Sequence, residues 1–245
     1  MPASFSVADL GGGVRALTLS HPARKNALDD QALGQLRAAL TDAAGVRCWL
    51  VQGDGDAFSA GYDLSTLVEV GEAGPLPDDA IGDVFDLLAR SPAPSVALVR
   101  GPAFGAGCEL ACACDFRVGD ATSVFCLPPA KIGVVYAPRG IRRVSAVVGA
   151  QRAKWMLLTG RRVAAAEAAQ WGLLDLVSSD AEADANALAA ELAGGAPMAI
   201  AGMKQIFAGG EGDFRAVRRA AFNSADAKEG RESFLQRRAP KFSGR

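Results

Sequence analysis

The sequence predicts an α/β fold that gives way to helices toward its C-terminal end. Three observations carry this expectation. Short runs that alternate with period two, or are wholly apolar, recur as far as Cys126 and are separated by helical stretches. Glycine-rich turns follow two of these runs, and the second turn opens straight into an apolar helical segment. From Ala181 to Gln236 the pattern is almost wholly helical.

Phe5–Leu10 and Val14–Leu19 alternate around Gly11-Gly12-Gly13 and read as a hairpin. Asp29–Ala43 places Leu33, Leu36 and Leu40 at the helical period, with Asp29 or Asp30 as N-cap. Val46–Val51 reads as a buried strand, and Gly53–Asp63 as a glycine-rich loop. Leu64–Asp79 has no clear period, carries Pro75 and Pro77, and is expected to form a mobile covering segment. Ala80–Ala89 is helical, Ser95–Val99 a strand, and the Gly101–Gly107 turn leads into a helix through Ala113. Phe116–Val118 and Val124–Cys126 are short strands. Ile141–Val148, Ala150–Leu158 and Ala165–Trp171 read as helices, with one strand at Leu174–Val177. The expected organisation is a core of strand-strand-helix units over residues 1–190, followed by a helical region over 191–245.

Composition narrows the function classes. The 245 residues are 50% hydrophobic, enough for one large core or a core with a small appendage. A net charge of −1 gives no global signal for nucleic acid. No apolar run approaches the length of a membrane span, and the start of the chain lacks the basic and apolar regions of a signal peptide. Five cysteines in hydrophobic settings read as a reducing compartment, so a cytoplasmic location is expected. Cys108, Cys112 and Cys114 lack CxxC spacing and a nearby histidine, so a metal site is not expected. His21 is the single histidine, so a Ser-His-Asp or Cys-His triad would have to use it. It precedes Pro22 at a strand end and reads as a turn residue.

The chemistry concentrates in Phe58-Ser-Ala-Gly-Tyr-Asp-Leu64 and Gly101-Pro-Ala-Phe-Gly-Ala-Gly-Cys-Glu-Leu110. Each contains a small-residue turn whose backbone N–H groups can point at a ligand, as stabilising an oxyanion requires. Glu109 follows the second turn and supplies a carboxylate able to move a proton. The second turn is not a dinucleotide loop, because the third glycine of GxGxxG would fall on Leu110. Between Arg215 and Arg245 lie nine Lys/Arg and three Asp/Glu, read either as a solvated helix face or as a phosphate- or subunit-contacting tail.

At these residues the chain resembles the enoyl-CoA hydratase/isomerase (crotonase) superfamily over nearly its whole length. His21-Pro-Ala-Arg-Lys-Asn-Ala-Leu28 resembles the family's CoA-contacting segment. Ala57–Leu64 and Gly101–Leu110 resemble its two oxyanion segments. Thr159-Gly160 with Ala165–Leu173, and Phe234–Arg245, resemble its later signatures. The resemblance implies a spiral of ββα units followed by helices, assembly as a homotrimer or dimer of trimers, and acyl-CoA thioester substrates with no metal or redox cofactor. It places the oxyanion N–H groups on Tyr62 and Ala106 and the proton-transferring carboxylate on Glu109. It places substrate or CoA contacts on Arg24, Lys25, Ala60, Asp63, Gly105, Pro129 and Arg237; the basic ones read equally as surface charges.

The reaction is left open by one departure. The family's hydratases use a second glutamate, which here falls on Pro129, and proline transfers no proton. The stretch Pro129–Ile141 resembles that of methylmalonyl-CoA decarboxylase, which pairs its glutamate with a tyrosine 27 residues later; here 136 minus 109 is 27. Tyr136 therefore either orients a leaving carboxylate or simply lines the pocket. Three readings follow: a hydratase-like acyl-CoA lyase, a methylmalonyl-CoA-type decarboxylase, and a non-catalytic acyl-CoA-binding protein.

Overall fold

The computed structural model describes residues 2–66, 76–209 and 213–245. Its strands are Ser4–Gly11 (β1), Val14–Ser20 (β2), Ala27–Leu28 (β3), Cys48–Gly53 (β4), Gly61–Tyr62 (β5), Ser95–Val99 (β6), Pro102–Phe104 (β7), Phe116–Gly119 (β8), Val124–Cys126 (β9), Arg162–Ala164 (β10) and Leu176–Val177 (β11). Its α-helices are Asp30–Thr41 (α1), Pro77–Ala89 (α2), Ala106–Ala113 (α3), Pro138–Val148 (α4), Ala150–Thr159 (α5), Ala165–Trp171 (α6), Ala181–Gly194 (α7), Pro197–Phe207 (α8), Phe214–Phe222 (α9) and Ala225–Gln236 (α10). None is long and apolar enough to cross a membrane.

The main sheet has the order β1-β2-β4-β6-β8-β11, antiparallel at the hairpin and parallel elsewhere. Its middle strands are buried on both faces, which explains their near-continuous apolar sequences. Alternation sorts them by face. Val14, Ala16, Cys48, Leu50, Val96 and Leu98 turn toward α7, which answers with Ala181, Ala185, Ala189 and Ala193 at helical spacing. Leu17, Leu19, Trp49, Val51, Ala97 and Val99 turn into the main core, under α1, α2 and α3. Two smaller sheets, β10-β9-β7 and β3-β5, sit on that second side and hold the turns with candidate chemistry.

Most expected elements form. Asp29 is the N-cap of α1, its carboxylate accepting from Ala32 N at 2.8 Å. The strand expected over Leu174–Val177 is reduced to Leu176–Val177, because Leu173 and Leu174 donate their N–H groups to Ala168 O and close the end of α6. Of four further short strands, β5 and β7 lie in segments read as a loop and a turn, and β3 and β10 in segments given no element. Of the covering segment expected at Leu64–Asp79, residues 67–75 lie outside the described residues, and its described end is the first turn of α2. The expected division at residue 190 falls inside α7, which is continuous to Gly194 and packed on the sheet.

Arg47 joins the C-terminal helices to the sheet. Its guanidinium donates to Ala193 O and Gly195 O, both at 2.6 Å, and to Phe242 O at 3.1 Å. Bonds from a charged donor contribute more than neutral ones, and truncation would orphan three carbonyls. Arg47→Ala is therefore expected to cost about 3 kcal/mol of unfolding free energy, read as a lower denaturant midpoint at unchanged slope.

Candidate active site

The two turn segments are drawn together by a polar hub. Asn26 is buried in the left-handed region at φ 57, a conformation that asparagine tolerates better than most residues. Its amide accepts from His21 N and donates to Asp54 O and Ala57 O at 2.7–2.8 Å. Its carbonyl accepts from the Ser59 hydroxyl at 2.7 Å. Ala60 N donates to Lys25 O and Asp63 N to Leu28 O, so β3 and β5 run parallel. Ser59 continues the connection: its N–H donates to Pro102 O, and its carbonyl accepts from Phe104 N. Asn26→Ala, by orphaning several of these buried groups, is expected to lower stability by about 3 kcal/mol and turnover with it; chemical denaturation and steady-state kinetics check both effects.

β5 thereby lies against the start of α3. Gly61, at φ +96, comes so close that a Cβ there would stand 2.6 Å from Phe104 O and 3.2 Å from Ala106 N. Only glycine fits both the dihedral and the space. Tyr62, the next residue, is placed beside the α3 N-terminus; its hydroxyl donates to Asp30 at 2.7 Å. Gly105, at φ 50, is the N-cap of α3 and donates to Cys126 O at 2.8 Å. Ala106 is the first helical residue, so its N–H has no acceptor within the helix and sits at the positive end of the dipole.

Glu109 ends the first turn of α3, a helix buried at all eight positions, and is itself 3% exposed. Two groups from the α4 side reach it. Arg143 donates through Nη1 to Glu109 Oε1 and through Nη2 to Asp86 Oδ1 on α2. The Tyr136 side chain lies beside the Glu109 carboxylate, both of them against Gly140, and the phenol favours the carboxylate form. Gly140, in the first turn of α4, makes the approach feasible: a Cβ there would stand 2.6 Å from Tyr136 Cε1 and 2.8 Å from Glu109 Oε2. Burial raises the Glu109 pKa, opposed by the Arg143 charge and the Tyr136 phenol, and the balance lies above the ordinary carboxylate value. Tyr136 is pushed well above the usual phenol range by burial and by the Glu109 charge.

The remaining expected positions are distributed more widely. Arg24 grips both Asp63 oxygens at 2.7 and 2.8 Å and the Ser65 hydroxyl at 2.6 Å. The Ser65 hydroxyl and N–H, with Arg24, hold the Asp63 carboxyl below its usual value. Arg24 thus arrives already paired, while Lys25 and Ala60 are exposed at the same turn. Pro129 is buried and opens a 3₁₀ turn, its carbonyl accepting from Ile132 N and Val134 N. Arg237 caps α10 at φ 53 and is exposed; among the described residues no hydrogen bond or ion pair joins it to the Glu109 cluster. Part of the basic tail is taken up within the C-terminal region, where Glu229 accepts from Arg238 and Lys241 N and is held down to about 2. Among the described residues no cluster of three His, Cys, Asp or Glu could hold a metal. All five cysteines are free thiols.

Arg143, Asp86, Gly140 and Asn26 were not singled out by sequence reasoning. A signal for Arg143 exists in its spacing: it follows Gly140 by three residues and precedes Val147 by four, so it shares a side of the helix with a buried glycine and a core-packed valine. That an arginine on such a face meets Glu109 and Asp86 depends on the α2–α3–α4 packing, which no local pattern specifies.

The family model for enoyl-CoA hydratase/isomerase matches residues 9–245. The chain belongs to the enoyl-CoA hydratase/isomerase family. Carnitinyl-CoA dehydratase of Salmonella typhi is 35% identical over 257 residues, covering 96% of both chains. Among solved structures, this family member superposes on an enoyl-CoA hydratase from a Polaromonas species with a TM-score of 0.88 at 27% identity, over 98% of this chain and 100% of that one. It also superposes on an enoyl-CoA hydratase/carnithine racemase from Magnetospirillum magneticum with a TM-score of 0.88 at 28% identity, over 98% and 96%. The family's fold is thus that of this chain.

Proposed function

We propose that the protein is an acyl-CoA lyase that holds a thioester enolate between the N–H groups of Tyr62 and Ala106, with Glu109 as its proton-transferring group. The single observation that carries this reading is the buried Glu109, set one helical turn from Ala106 and beside the β5–α3 junction. Donors aimed at a developing oxyanion in a water-poor site are the largest catalytic contribution in such chemistry. Gly105 gives the thioester close access to the backbone, and the Arg24, Lys25, Ala60 and Asp63 turn would meet the CoA end.

With proline at 129, one carboxylate does both proton steps in a hydratase. Water attacks C3 of an enoyl thioester and gives its proton to Glu109, while the C2–C3 π electrons move to C2 and the thioester oxygen. The protonated Glu109 then returns that proton to C2, so H and OH are added in total and no further cofactor is consumed. The carnitinyl-CoA dehydratase relatives extend the candidate substrates to β-hydroxyacyl and enoyl thioesters with a cationic end.

The Tyr136 contact to Glu109 favours a second reading, decarboxylation of a malonyl-type thioester. There the C–CO2 bond breaks, its electron pair forms the enolate, and protonated Glu109 supplies the proton to C2. The two readings differ in sign with pH. Hydration needs Glu109 ionised, so kcat/KM should rise as pH climbs through the elevated Glu109 pKa. Decarboxylation needs it protonated, so kcat/KM should fall over the same interval. Turnover of crotonyl-CoA, carnitinyl-CoA and methylmalonyl-CoA across pH 4–9, with mass analysis of the thioesters, separates them. Tight binding of all three without turnover would instead favour the non-catalytic acyl-CoA-binding reading.

Assembly into a homotrimer or dimer of trimers is part of the same proposal. The C-terminal helices expose Phe207 at 90%, Phe222 at 67%, Phe234 at 82% and Leu235 at 80%, more large apolar surface than a monomer ordinarily leaves in water. Light scattering is expected to give three or six times the 25.2 kDa chain mass; a monomer would contradict it.

A further inference from the structure

Position 129 takes away the second acid of the site, yet Glu109 is not left alone in an apolar pocket. A single guanidinium spans the gap between helices, one nitrogen on Glu109 and the other on Asp86. The Arg143 side chain is only 9% exposed and that of Glu109 only 4%, whereas that of Asp86 is 34% exposed. A buried guanidinium facing two carboxylates divides one positive charge between two negative ones, each held by its own nitrogen. Phe85 lies under the guanidinium, with 5.9 Å from Cζ to the ring centre.

We propose that Arg143 is a positioning residue for Glu109, fixing its rotamer and keeping it available as a carboxylate, with Asp86 on α2 as the counterweight that limits this pull. The proposal rests on the assignment of Glu109 as the proton-transferring group, but its physical content, the coupling of Arg143 to the Glu109 proton, stands independently. In place of an acid/base pair of two carboxylates, the site uses one carboxylate tuned by a shared cation. Sharing connects the chemistry to α2, whose position decides how much of Arg143 remains for Glu109. Arg139 fastens the same two helices, donating to Asp83 at 2.7 Å and to Asp79 O at 3.1 Å, and it also stands 3.6 Å from the second Asp86 oxygen, so Asp86 is held by both arginines.

The other charged and titratable groups around Glu109 are few. α2 contributes Asp78 and Asp86, and the segment before α4 contributes Tyr136. α3 contributes Cys108 and Cys112, and β5 contributes Tyr62, bonded to Asp30 of α1. β3 and β7 bring none. Among the described residues Arg143 is the cation bonded to Glu109, while Arg139 reaches Asp86 at 3.6 Å, so removal of Arg143 has a defined sign: the ionised form of Glu109 loses support and its proton is held more tightly.

The test reads the Glu109 proton directly and needs no substrate. Protein carrying 13C-labelled glutamate is titrated by difference infrared spectroscopy, with Glu109→Gln subtracted to isolate the one carboxyl. In Arg143→Gln the midpoint is expected to rise by at least about one pH unit, a tenfold tighter proton. Arg143→Lys should restore a good part of the shift by returning the charge. Should Arg143→Gln fail to fold, Asp86→Asn provides the opposite sign: Arg143 turns wholly to Glu109 and the midpoint falls. A midpoint unchanged by Arg143→Gln, or one that stays or rises in Asp86→Asn, would overturn the proposal. Because titration requires no turnover, an enzyme silent toward every thioester would sink the functional reading and leave this result standing by itself. Where turnover is measurable, a merely structural Arg143 would lower kcat/KM equally at all pH values, while the positioning role moves the acid limb.

Discussion

Glu109→Gln is expected to lower kcat on the true thioester by about 10²–10⁴-fold, the usual contribution of a positioned acid/base group, while KM changes little. The amide keeps the shape of the carboxylate, so the loss would be one of proton transfer rather than of packing. It also removes the anion that Arg143 faces, leaving the guanidinium with Asp86 alone. The variant should therefore fold and bind thioester, which a thermal melt and a CoA-ester titration check. Retention of full turnover would remove Glu109 from the chemistry.

Gly140→Ala is expected to lower kcat by about 10²-fold through displacement alone, the size of effect that a misplacement near 1 Å produces. The added methyl meets the Tyr136 ring at 2.6 Å and the Glu109 carboxyl at 2.8–3.0 Å, closer than a Cβ tolerates. One of them has to leave, and neither is a free-swinging end: Glu109 is held by Arg143, and Tyr136 by Glu109. Since Gly140 lies inside a helix, alanine itself is favourable to the backbone, which offsets part of the overpacking. Stability should fall by no more than about 1–3 kcal/mol, so denaturant midpoints and kcat separate the two effects. Near-normal turnover in this variant would mean that the α3–α4 contact does not set the geometry of Glu109.

The sequence made much of this legible, for identifiable reasons. Strand alternation and helical period are local, so the hairpin, the buried strands and the C-terminal helices could be read directly; Trp49 and Leu50 fall on opposite faces of the sheet as alternation requires. The two turn segments were visible because close backbone approach demands small residues, and Gly61 and Gly105 carry that demand at positive φ. Glu109 was visible because a carboxylate in an apolar helix is unusual. The strands β3 and β5 were not visible: each has two residues, and they pair only because Asn26, Ser59 and Ala60 bring their loops together. Arg143 was hidden for a related reason. Reading along α3 finds only small neighbours for Glu109, and its charge partner comes from a helix more than thirty residues later (143 − 109 = 34).

Glu109 is proposed to move a proton to and from the carbon beside a thioester carbonyl. The most direct test of this role is product formation in deuterium oxide from crotonyl-CoA, carnitinyl-CoA and methylmalonyl-CoA, by wild type and Glu109→Gln, with deuterium at C2 read by mass spectrometry. At least one substrate is expected to yield product with deuterium at C2, at a rate that collapses in Glu109→Gln. Equal rates in the two proteins, or no deuterated product from any of the three, would contradict it.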